Sequence, residues 1–258
     1  MWTATVDFMK AFVSISHKSI WDALKSCNID HGYISLLKKI YKNQKASVQT
    51  DEESNIFDIR KGTKQGDPLS SLLFNTVLQY SLKDEIQRWQ KRKGMGIYLS
   101  DHDRDCLTNL RFADDVLLFA TSKEQIRNML CEFKKSTEKV GLRIHPDKTK
   151  ILSNQSTINS DTKKHLEVDD MKIEILTRNE SVKYPGQKIS FHHQETKIKN
   201  RSRPAWATFR KYRQELTSKN YMLKHRLRLF DATVSPTLCY AAGTWTPSKE
   251  HERMIQST

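Results

Sequence analysis

Cysteine is scarce. Four in 258 residues, Cys27, Cys106, Cys131 and Cys239, lie far apart, with no C-x-x-C pair and no histidine at zinc-ligand spacing. Neither a zinc finger nor a disulfide framework is supported, and a reducing compartment fits better than secretion. No apolar run approaches the ~18 residues of a membrane span, and the amino terminus lacks the basic start and apolar middle of a signal sequence. The expectation is an intracellular protein, nuclear or cytoplasmic, with no membrane partner. Hydrophobic residues amount to only 37%, yet aromatics stand at 9% with 5 Trp, which argues against wholesale disorder. The last shortage is negative charge: 30 acidic residues face 44 basic ones, leaving +14. That balance calls for a polyanionic partner, nucleic acid first.

What is present reads as α+β. Trp2 to Phe8 alternate like a short buried strand, and apolar residues at helical spacing follow from Lys18 to Tyr41. A core strand at the very start of a chain fits a fragment of a longer protein. Residues 46 to 60 form a two-strand pattern with an acidic tip at Asp51, Glu52 and Glu53. Asp67 and Pro68 are an N-cap and a first helical residue for a helix running through Leu73, Val77 and Leu82 to about Trp89. Residues 110 to 119 place Asp114 and Asp115 between two apolar runs, as a strand, tight turn and strand. A helix over 123 to 140 should end at Gly141. Short strands are expected at 142 to 152 and 182 to 190, with a polar, loop-rich stretch at 153 to 170. From Lys188 to Arg228, twelve Lys or Arg against two Glu account for +10 of the total. Aromatics interleave with those cations, among them Arg201, Arg203, Arg210, Lys211 and Arg213, as on helices with one packed face and one facing phosphates.

Three features could carry chemistry together: Asp7 on a buried strand, the Asp114-Asp115 pair, and the Gln65-Gly66-Asp67-Pro68 loop. Taken singly, each has an ordinary explanation in turn and capping chemistry. Carboxylates among Phe, Val and Leu are costly to keep ionised, and three together repel. Magnesium relieves both problems, since it prefers oxygen ligands and is held by one or two carboxylates plus substrate phosphates.

Several segments in order then resemble the palm motifs A to E of reverse transcriptases, closest to non-LTR, LINE-type retrotransposon enzymes. They are Val6-Asp7-Phe8-Met9-Lys10-Ala11-Phe12, Gly62-x-x-Gln65-Gly66-Asp67-Pro68-Leu69-Ser70, Phe112-Ala113-Asp114-Asp115, Gly141 through Lys148 and Thr149, and Tyr184-Pro185-Gly186-Gln187. The resemblance implies a right-hand polymerase palm, a small antiparallel sheet backed by helices, over residues 1 to 190. A basic, mostly helical thumb follows over 191 to 258. It implies an RNA-directed DNA polymerase extending a DNA primer on an RNA template with deoxynucleoside triphosphates, using two Mg²⁺ ions for which Mn²⁺ can substitute. Asp7, Asp114 and Asp115 match the metal ligands. Phe12 matches the aromatic gate against a ribose 2′-OH, while Gln65, Gly66 and Asp67 match the substrate and template loop. Lys148 or Lys150 matches the lysine that protonates pyrophosphate, the alignment permitting either, and Tyr184 and Gly186 match the primer grip.

The chain departs from that pattern at Val13, where the family has Asp, at His145 for Asn, at Pro185 for Leu, and at Tyr240-Ala241-Ala242-Gly243 for Tyr-Gly. It also starts at motif A, so a fingers segment supplied from elsewhere is an expected requirement. A second reading therefore stands beside the first: a catalytically inactive, truncated retroelement remnant that still binds nucleic acid.

Overall fold

All five residues of the first strand are buried in the computed structural model, which puts that strand in the middle of a sheet. The elements run β1 (Trp2–Val6), α1 (Ala11–Ser14), α2 (His17–Ser26), α3 (His31–Lys42), β2 (Lys45–Ala46), β3 (Phe57–Asp58), α4 (Pro68–Lys91), β4 (Ile97–Tyr98), β5 (Cys106–Leu107), β6 (Asn109–Phe112) and β7 (Asp115–Ala120). They continue with α5 (Lys123–Glu138), β8 (Lys150–Ser153), β9 (Lys164–Val168), β10 (Met171–Ile175), β11 (Val182–Tyr184), β12 (Gln187–Ile189), α6 (Thr196–Lys211), α7 (Arg213–Thr217) and α8 (Leu223–Leu238). The structure describes residues 1–49, 54–92, 94–99, 106–155, 164–177, 180–184, 187–191, 196–240, 242 and 253. The expected acidic tip at 51 to 53 lies outside them. The chain divides into two compact units, Met1–Gly186 and Gln187–Thr258.

In the first unit six strands form one sheet in the order β6-β7-β1-β8-β10-β9. It is larger than the small sheet expected and not wholly antiparallel, because β10 runs parallel to β8. Trp2, Ala4 and Val6 alternate toward one face, where they share a core with Phe74 and Val77 of α4 and Met129 and Phe133 of α5. Phe8 continues that face, its ring stacked on Phe133 at 5.8 Å and edge-on to Phe74 at 6.5 Å. Helices α4 and α5 thus cover the side of the sheet away from Thr3 and Thr5.

The long helix starts where the sequence places it: Asp67 accepts from the Leu69 amide at 3.0 Å and Pro68 occupies the first turn. Helix α5 is capped by Ser122, which accepts from the Gln125 amide at 3.1 Å. Past its end Gly141 adopts φ 93°, where a Cβ would also strike the Ser14 carbonyl at 2.6 Å. The apolar pattern over 18 to 41 resolves into two helices. Asn28 turns the chain with φ 56°, and Asp30 caps α3 by accepting from the Gly32 amide at 2.7 Å.

The stretch read as loop at 153 to 170 contains β9, which pairs antiparallel with β10 across Asp169 and Asp170. Leu166, Val168, Ile173 and Ile175 are buried while the charged residues between them face out.

In the second unit Ala205, Leu216 and Val234 are buried, with Phe209, Tyr212, Leu229 and Leu238 packed against them. Trp206, Tyr221, Met222, Leu223 and Leu227 are exposed. None of the described helices is long and apolar enough to cross a membrane.

Candidate active site

The carboxylates meet because of strand register. β1 and β7 pair antiparallel as far as Val6 opposite Val116. Asp7, one residue beyond, and Asp115, one residue before, therefore stand at the same end of two adjacent strands. Asp114 belongs to the two-residue turn that joins β6 to β7, where Phe112 pairs with Asp115. Ala113, the other turn residue, is left-handed at φ 53°, a conformation that costs a residue with a Cβ about 1–2 kcal/mol. Asp115 feels both neighbours: partial burial first, then the charges of Asp114 and Asp7, raise its carboxyl above the ordinary aspartate range.

Among the described residues no three His, Cys, Asp or Glu side chains close into a ready-made metal cluster. What the strand ends offer is an open set of oxygen donors, with Asp7 41% exposed. Such a set suits a hard cation that keeps water and completes its shell with substrate oxygens. Asp7, Asp114 and Asp115 are the side chains that could hold it.

The two lysines separate clearly. Lys148 Nζ lies 4.0 Å from Asp7 Oδ1 and is exposed. Lys150 is the first residue of β8 and pairs with Glu174 of β10 at 2.5 Å, so the sheet already engages it.

Phe12, in α1, is half-buried with its ring stacked on Phe74 at 4.8 Å. Its carbonyl accepts from the Thr63 amide at 2.8 Å, and the Gly62 amide donates to Ile15 at 2.7 Å, so the 62–67 loop is docked on the segment that carries Phe12. Gly62 (φ 87°) is pressed against Val13, where a Cβ would come within 2.5 Å of its Cα. Gly66 (φ 92°) has nothing within 4 Å of that position; its open side faces outward beside exposed Gln65. Behind the loop, Tyr41 is buried. Its hydroxyl is raised by burial foremost, eased by Ser70 and raised again by Asp67.

Tyr184, the last residue of β11, is half-buried and raised by burial and then by the charge of Asp115, which puts it in the same field as the carboxylates. Gly186 lies outside the described residues. In the second unit Arg203, Arg210, Lys211 and Arg213 are exposed, and Lys211 Nζ sits 5.3 Å above the Tyr212 ring. Arg201 belongs to α6, and its side chain lies outside the description. The first unit thus gathers Asp7, Asp114, Asp115, Lys148 and Tyr184, with Phe12 and the 62–67 loop held to one another. Sequence reasoning did not single out Phe74, Thr63 or Thr149. The one available signal was Thr149, a small polar residue at the mouth of an apolar strand.

A family model described as reverse transcriptase (RNA-dependent DNA polymerase) matches residues 1–189. The chain is 32% identical over 147 residues to the retrovirus-related Pol polyprotein from type-2 retrotransposable element R2DM of Drosophila melanogaster, covering 56% of this chain and 13% of that protein. It is 33% identical over 156 residues to a transposon-derived protein of Caenorhabditis elegans, covering 59% and 53%. Against the Pol polyprotein from type-1 retrotransposable element R2 of Nasonia vitripennis it is 29% identical over 193 residues, covering 72% and 18%. The chain therefore spans at most about half the length of these relatives, and far less of the polyproteins. Among solved structures, an apo telomerase from Candida tropicalis matches with TM-score 0.47 and 13% identity, over 73% of this chain and 34% of that one.

Proposed function

The chain belongs to the reverse transcriptase (RNA-dependent DNA polymerase) family, and on that premise we propose that it is the polymerase portion of a non-LTR, R2-type retrotransposon protein, extending a DNA primer on an RNA template. The observation that carries this reading is the meeting of Asp7, Asp114 and Asp115 at one end of two paired strands, with the Asp115 carboxyl raised by partial burial first and then by the charges of the other two. Two magnesium ions there would supply activation of the primer 3′-OH and charge balance on the triphosphate, and manganese would substitute.

The protein's own part is positioning and electrostatics. Asp7 and Asp115 orient the ligand oxygens from rigid strand ends, and Asp114 adds its charge from the turn. Phe12 presents a ring already fixed by Phe74 to the sugar of the incoming deoxynucleoside triphosphate, disfavouring a 2′-OH. Gln65, Gly66 and Asp67 lie against the template base and the new pair, where the bare backbone of Gly66 admits close approach. Lys148, beside Asp7, donates its proton to departing pyrophosphate; Lys150, engaged by Glu174, does not. Tyr184 and Gly186 steady the primer. Residues 1 to 190 act as palm and 191 to 258 as thumb, whose cations Arg201, Arg203, Arg210, Lys211 and Arg213 follow the phosphate backbone.

The test is primer extension on an RNA template with Mg²⁺ or Mn²⁺, comparing this chain, its Asp114→Asn variant, and the chain fused to the fingers segment of an R2-type relative. Extension that depends on Asp114 supports the proposal. A fused protein that is inert while binding primer-template normally would sink it in favour of a binding-only retroelement remnant.

A further inference from the structure

Opposite Asp7 the sheet is interrupted. β8 pairs with β1 from Ser153 opposite Trp2 to Lys150 opposite Thr5, and pairing returns only at the bridge between Phe8 and Ile144. Residues 145–149 are looped out of the ladder alongside Asp7. An unassisted strand end of this kind leaves backbone groups without partners and free to fray.

The loop replaces the missing partners. The Asp7 amide donates to Thr149 Oγ1 at 3.3 Å, and the Asp7 carbonyl accepts from the His145 amide at 2.8 Å. Two residues on, the Met9 amide donates to the Arg143 carbonyl at 2.8 Å, and the loop closes on itself through the Thr149 amide and the His145 carbonyl at 2.9 Å. Thr149 is fully buried, at 0% exposure. Its hydroxyl occupies the place that a carbonyl of β8 would hold if the ladder ran on.

We propose that Thr149 is a positioning residue for Asp7. With the amide held by Thr149 and the carbonyl held by His145, the peptide planes on both sides of Asp7 are fixed, and with them the direction of the Cα–Cβ bond that aims its carboxylate. A ladder carbonyl would do the same for the amide but would leave no loop from which Lys148 could reach Asp7. The side-chain acceptor lets the chain detour and keep the strand end rigid at once. The proposal rests on reading Asp7 as a metal ligand.

The experiment compares Thr149→Val, which keeps the shape and removes the acceptor, with Thr149→Ser, which keeps the acceptor, in the full chain. Amide hydrogen exchange is followed at Asp7 and at Leu118 in β7, and Mn²⁺ affinity by water proton relaxation. Thr149→Val is expected to speed exchange at Asp7 about tenfold, leave Leu118 unchanged, and weaken Mn²⁺ binding several-fold. Thr149→Ser should restore both to within about twofold of the parent. In the extension assay the Val variant should need more Mg²⁺ for half-maximal rate. Unchanged exchange at Asp7 and unchanged Mn²⁺ affinity in Thr149→Val, or a Ser variant that behaves like Val, overturns the proposal alone. A parent chain that binds no Mn²⁺ overturns the ligand reading of Asp7 and the proposal with it.

Discussion

The two units are built on opposite principles. The first buries a sheet against α4 and α5, with Trp2, Phe8, Phe74, Leu118, Met129 and Phe133 all in one core. Among its described residues the second buries the apolar cluster Ala205, Leu216 and Val234, and it holds the segment from Lys188 to Arg228, with +10 of the chain's charge. A site that works by placing oxygens to within fractions of an ångström needs the first kind of support. Attraction to a phosphate backbone is long-ranged and tolerant of position, and it can ride on a thin core. Precision and affinity are thereby separable, and substitutions should separate them.

The largest break is expected from Asp114→Asn, which should lower extension about 10³-fold while primer-template affinity keeps its salt dependence; single-turnover extension and binding titrations read the two. Next is Phe133→Ala, a fully buried ring, expected to cost about 3–5 kcal/mol in denaturant unfolding. Because Phe8 stacks on that ring, extension should fall as well. Replacing Arg203, Arg210, Lys211 and Arg213 together by Gln should leave the thermal transition of the first unit in place. The slope of log affinity against log salt should become shallower by about 3, and an unchanged slope would remove the second unit from nucleic-acid binding.

The smallest effect concerns stability alone. The Asp115 carboxyl lies above its unfolded value, so its contribution is most favourable below the ordinary aspartate range and is lost as pH rises through the raised folded value. Under chelator at neutral pH, Asp115→Asn should therefore melt a few degrees higher than the parent, with the gap closing in acid. A variant that melts lower at neutral pH would show that the three carboxylates do not strain one another.

Much of this was legible because it is local. Asp67 and Pro68 start α4 by their own chemistry, and Asp114-Asp115 between apolar runs gives a hairpin whatever surrounds it. The partnership of Asp7 with Asp115 is different in kind, since only the register of β1 on β7 brings them together; the palm motifs, not the periodicity, pointed to it. The hairpin of β9 and β10 escaped notice because His165, Glu167, Lys172 and Glu174 occupy its outer face and Lys164 stands opposite Ile175 on the inner one, which dilutes the apolar alternation. The parallel pairing of β10 with β8 leaves no mark within either segment. The break between α2 and α3 hangs on a single left-handed Asn28, and the role of Thr149 on a detour of the chain at which its polar side chain before an apolar strand only hints.

Ala113 carries one more consequence. A hairpin tip that needs a left-handed residue is ordinarily given to glycine, which would sit there at ease but would also let the tip swing. Alanine accepts the discomfort and in exchange has few other shapes to visit, so the tip behaves as a sprung clip rather than a loose hinge. Asp114, next along the chain, inherits that stiffness, and Ala113→Gly would trade a calmer backbone for a wandering carboxylate.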